Sequence, residues 1–87
     1  MLEKKLVIGN EIGLQARTAS MLVREATKYK AESIIVKDGD EYNCKSIMNI
    51  LTMSAKKGEE VLLKVEGPDE KSAMENLTML ITQKTED

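Results

Sequence analysis

The hydrophobic period of this chain changes several times within 87 residues, and the changes fall at breaker residues, so strands and helices must alternate. Leu6 and Ile8 alternate with Val7 in a strand-like opening that stops at Gly9-Asn10-Glu11. From Ala16 the period becomes helical: Ala19, Leu22, Val23, Ala26 and Tyr29 recur at i, i+3, i+4, i+7 and i+10, while Arg17, Arg24, Glu25 and Lys28 fall elsewhere. Glu32 to Lys37 is rich in β-branched residues, and Asp38-Gly39 supplies the positive-φ positions of a tight hairpin before Glu41-Tyr42-Asn43. A second helical stretch follows Lys45, with Ser46 predicted as its N-cap and Gly58 as its end. Val61, Leu63 and Val65 alternate in a last strand that Gly67-Pro68 breaks. Asp69 is the predicted cap of a final helix carrying Ala73, Leu77, Leu80 and Ile81. The order is β-α-β-β-α-β-α. It predicts an α+β fold whose helices cover one face of an antiparallel sheet, with residues 1–87 as a single domain.

Composition limits what such a domain can do. Aromatics are reduced to two tyrosines, so the core must come from Ile, Leu, Val, Ala and the thioethers of six methionines, and platforms for stacking single-stranded nucleic acid are lacking. Thirteen basic and 15 acidic residues are scattered without a basic run, which argues against a direct nucleic-acid ligand. With one cysteine, Cys44, and no histidine, an internal disulfide and a structural zinc site are excluded. No cofactor or metal is expected. The apolar runs are too short to span a bilayer and no signal-peptide pattern opens the chain, so the expected location is the cytoplasm, with no membrane partner.

Two stretches draw attention as candidate sites. In "GLQARTAS", Gly13 to Ser20, a glycine and an arginine flank what reads as a helix start, where free backbone amides can gather round an anion. Gln15 stands at its tip, and a carboxamide nitrogen is no nucleophile. In the second helix, Ile47, Met48 and Leu51 share one sector and Ile50 and Met53 the next. Either the whole wide stripe is buried, the commoner arrangement, or one sector faces outward as a partner surface. Periodicity leaves both open.

"GLQARTAS" resembles the GLHARPA signature of the HPr family, the phosphocarriers of the bacterial sugar phosphotransferase system. "NCKSIMNIL" resembles that family's regulatory-serine segment, and Gly67 to Glu70 its G-x-D-E helix start. Spaced as they are, these motifs cover essentially the whole chain. The resemblance implies an open-faced β-sandwich with a four-stranded antiparallel sheet and three helices on one face. It also places Gln15 where the family has a phosphoryl-accepting histidine, whose ring nitrogen is both nucleophile and leaving group. Glutamine there is similar to the regulatory Crh-type branch, which lacks histidine phosphotransfer.

What that branch implies is a non-enzymatic protein. Ser46 would be phosphorylated by HPr kinase/phosphorylase, and the modified form would act with catabolite control protein A as a corepressor in carbon catabolite repression. Arg17, Ser20, Lys45, Ile47, Met48 and Leu51 match the partner-binding positions, and a homodimer is left open. The alternatives are a divergent phosphocarrier using another acceptor and an HPr-like interaction module with another partner. Thr18 departs from a usual proline, and Asn49 and Ser54 from common glycines. Cys44, just before the Lys-Ser pair, reads as a small packing residue. Read on residues alone, Ser46 is an ordinary N-cap, Arg17 a solvated charge and Gln15 a neutral turn residue.

Overall fold

The computed structural model describes residues 1–10 and 16–83. Its elements are β1 (Leu2–Val7), α1 (Ala16–Ala26), β2 (Glu32–Lys37), β3 (Asp40–Asn43), α2 (Ile47–Met53), β4 (Glu60–Glu66) and α3 (Glu70–Thr82). The strands form one antiparallel sheet in the order β1-β4-β2-β3. Val61, Leu63 and Val65 of β4 are buried at every second position, with Ser33 and Ile35 of β2 beside Val65 and Leu63 on the same face. The three helices cover that face, bringing Leu22, Ile50, Leu77 and Ile81 to zero exposure against it.

The β2–β3 turn forms as the residue types require, with Asp38 at φ 52° and Gly39 at φ 84°. The opening strand is longer than its apolar signal, reaching back to Leu2. Its charged residues Glu3, Lys4 and Lys5 are tolerated because β1 lies at a sheet edge, where long polar side chains reach solvent. Helix α1 stops at Ala26, so Tyr29 is not part of its stripe. It lies in the following turn, where its hydroxyl donates to Glu25 Oε2 at 2.7 Å and accepts from Asn76 Nδ2 of α3 at 2.6 Å.

Three further expectations are corrected. Helix α2 ends at Met53, not near Gly58: Ser54 takes the left-handed conformation at φ 53°, ψ 42° and turns the chain out of the helix. Gly58 belongs to the next turn, where its N–H donates to Ile8 O at 2.9 Å. Asp69 sits at the N-cap position of α3, but its side chain makes no cap bond. The carboxylate instead accepts the backbone N–H groups of Lys30 (3.0 Å) and Ala31 (2.9 Å), tying the start of α3 to the entry of β2. Of the six methionines only Met53 and Met74 are buried; Met1, Met21, Met48 and Met79 are between 42% and 69% exposed. The aliphatic positions already fill the inward faces of the sheet and helices, which leaves the remaining thioethers outside.

The end of α3 anchors the chain as it leaves β1. Gly9 N–H donates to Ile81 O at 3.0 Å, and the fully buried Asn10 directs Nδ2 at Leu80 O (3.2 Å) and Ile81 O (3.4 Å). These bonds satisfy carbonyls that a helix C-terminus leaves without intrahelical partners. A Cβ at Gly9 would lie 1.9 Å from Thr82 O, so only glycine permits this approach. Gly9 and Asn10 thus fix the point from which the chain sets out toward residues 11–15.

Candidate functional site

Ser46 is held by a short, self-contained network. It adopts extended φ −118°, ψ 113° at the head of α2, and its Oγ accepts from Asn49 N (3.3 Å) and Asn49 Nδ2 (3.1 Å). The expected N-cap therefore forms, strengthened by a side chain from its own first turn. The other end of that carboxamide, Asn49 Oδ1, accepts the N–H of Asn43 at 3.1 Å. Asn43 Oδ1 accepts the N–H of Lys45 at 2.9 Å, while Asn43 O accepts the N–H of Ser46 at 3.0 Å. Two asparagines thus wind the β3–α2 connection so that the serine hydroxyl sits half-exposed at the surface.

The residues beside Ser46 divide by burial. Ile50 and Met53 are in the core, Met48 is 69% exposed and Leu51 41% exposed. Both sectors of α2 are therefore used, one inward and one outward, and burial of the whole stripe is overturned. Ile47 lies between them, half-buried against the core, and is only partly available as surface. Lys45 is also less free than a surface patch residue would be: its Nζ donates to Tyr29 O at 2.9 Å and pins the end of the α1 turn.

On α1, Arg17 and Ser20 are exposed one turn apart, while Thr18 joins Ala19, Leu22 and Ala26 among the buried residues of this helix. Met21, 42% exposed and one turn beyond Arg17, shares their outer side and was not among the expected site residues. At about 100° per residue it falls well off the Ala19–Leu22–Ala26 stripe, a signal a helical wheel would have carried. Gln15 lies outside the described residues, together with Gly13 and Leu14.

Chemically the site offers an alcohol and an apolar surface. Among the described residues, the hydrogen bonds of Ser46 Oγ are both to Asn49, and neither comes from a basic group. An open cleft of about 380 Å³ beside this turn is walled in part by Glu32, Ile34, Glu41, Asn43, Lys45 and Asn49, so its rim carries two carboxylates and one ammonium. Cys44 is fully buried, and that burial pushes its thiol up to about 12, far from the reactive thiolate range. It is a packing residue, as its size suggested. Among the described residues no group of His, Cys, Asp or Glu is arranged to hold a metal ion, and no helix is long and apolar enough to cross a membrane.

Comparisons with known proteins agree with this architecture. The family profile described as "PTS HPr component phosphorylation site" matches residues 2–83. The HPr-like protein Crh of Halalkalibacterium halodurans is 41% identical over 81 residues, covering 93% of this chain and 96% of that protein. Among solved structures, HPr-C-His from Thermoanaerobacter tengcongensis superposes with a TM-score of 0.89 at 38% identity, covering 93% of this chain and 91% of that one. The crystal structure of Crh from Bacillus subtilis, described as a swapped, intertwined dimer, gives a TM-score of 0.77 at 33% identity over 100% of both chains. The motifs, the strand order and these relatives together place the chain in the HPr family of the bacterial phosphotransferase system.

Proposed function

We propose that this chain is a non-enzymatic, cytoplasmic regulatory member of the HPr family, switched by phosphorylation of Ser46. The observation that carries the reading is the pairing, on one short helix, of a half-exposed N-cap serine with the outward Met48 and Leu51. In the switching step, Ser46 Oγ forms a bond to the γ-phosphorus of ATP as the bond to the bridging oxygen breaks. ADP leaves, and the hydroxyl proton passes to a base on HPr kinase/phosphorylase. The phosphate adds about −1.5 to −2 charges beside an apolar patch, a combination that an arginine-bearing, partly apolar protein surface can recognise. Catabolite control protein A is the proposed recipient, reading Ser46 with Met48, Leu51 and the exposed part of Ile47, flanked by Arg17 and Ser20. Lys45 supports the turn from beneath. Gln15 in the histidine position closes the phosphorelay, and similarity to proteins named Crh supports this branch.

The test is intact-mass measurement after treatment with HPr kinase and ATP, followed by calorimetric titration of the repressor with both forms of the protein. A single phosphate on Ser46 and binding restricted to the modified form are expected; equal affinity of the two forms would sink the proposal. The likeness to HPr structures keeps one second reading, a phosphocarrier with another acceptor. A stoichiometric phosphoryl adduct formed from phosphoenolpyruvate and Enzyme I would favour it.

A further inference from the structure

We propose that Asn49 is a positioning residue for Ser46, holding the hydroxyl before modification and redirecting its Nδ2–H hydrogen bond to a phosphoryl oxygen afterwards. This rests on the reading of Ser46 as the modified residue. The orientation of the Asn49 carboxamide is decided by its far end: Asn43 N–H is a donor, so the atom facing it must be Oδ1, which turns Nδ2 toward Ser46. A serine oxygen has two acceptor directions and one proton. Asn49 N and Nδ2 take up both acceptor directions, so the proton points away from Asn49.

Esterification reverses the balance of acceptors. The bridging Oγ of a phosphoserine is a poor acceptor, while the peripheral oxygens carry the charge and attract donors more strongly. The Nδ2–H therefore gains by moving from Oγ to a neighbouring phosphoryl oxygen, and the bond from Asn43 keeps the carboxamide in place to do so. Lys45, the adjacent cation, is drawn to Tyr29 O instead. Asn49 thus couples the phosphate to the backbone of β3.

The test uses full-length protein with phosphoserine installed at position 46 by genetic encoding, so that no kinase is required, and follows the phosphate by ³¹P NMR across its second ionisation. A donor to the phosphate favours the dianion, so its second pKa is expected to lie lower by about 0.5 in the wild-type protein than in Asn49→Ala. Asn49→Asp keeps an acceptor for Asn43 N–H but sets a carboxylate beside the phosphate, and should raise the value above that of Asn49→Ala. A purely structural role would leave the titration unmoved in folded protein. Equal values in wild type and Asn49→Ala overturn the proposal; should Asn49→Ala not fold, a value in Asn49→Asp no higher than wild type overturns it. Failure of HPr kinase to modify Ser46 would count against the serine switch while leaving this comparison intact.

Discussion

The ammonium of Lys37, at the end of β2, lies 3.1 Å from the carbonyl oxygen of Met53, the last residue of α2. It also reaches Ser54 O at 3.4 Å and pairs with Glu59 Oε2 at 3.3 Å, so one side chain closes the C-terminus of α2 and steadies the approach to β4. Replacing it with Met keeps the apolar stem and removes the charge from the helix end. Lys37→Met should cost about 1 kcal/mol, within the range for a cation at a partly buried helix C-terminus, read as a lowered urea midpoint with unchanged slope.

Ser54 pays a conformational cost at φ 53° that glycine would avoid. Relief of a left-handed non-glycine conformation outweighs the added freedom of the unfolded chain, so Ser54→Gly should stabilise by about 1 kcal/mol. Thermal unfolding would show it, and a lowered midpoint would refute it.

Met48 and Ile50 separate recognition from stability, because they are two residues apart on opposite sides of α2. Met48→Ala should leave the unfolding free energy nearly unchanged while weakening kinase or repressor binding by more than about 1 kcal/mol. Ile50→Ala should lower stability by about 2–5 kcal/mol. A large stability loss in Met48→Ala would show that its exposed placement is wrong.

Acid should unfold the protein partly through Asp69. The N–H groups of Lys30 and then Ala31 hold its carboxylate below the usual range. A depressed folded-state pKa gives stability that is present above the unfolded value and lost as pH falls through the folded one. Glu59 and Glu70, held down first by the N–H groups of Lys56 and Gly67, act in the same direction. Urea midpoints should therefore fall below about pH 4, and Asp69→Asn should lose less over that range than the wild type.

Much of the element order was legible because its signals are local. The ends of β2 at Glu32 and Lys37 coincide with the expected ones, since Asp38-Gly39 can turn the chain regardless of its surroundings. Ser46 is an N-cap through a bond to a residue three positions away, which again needs no distant partner. What spacing left undecided was decided by contacts far apart in sequence. Asp69 serves amides 38 and 39 residues away instead of its own helix, Lys37 closes a helix 16 residues on, and α2 turns Met48 and Leu51 outward only because Ile50 and Met53 meet the sheet. Periodicity marks a helix as amphipathic but cannot say how much of a wide stripe the neighbouring sheet covers. That extent, and with it the surface beside Ser46, follows from where α2 comes to rest against the core.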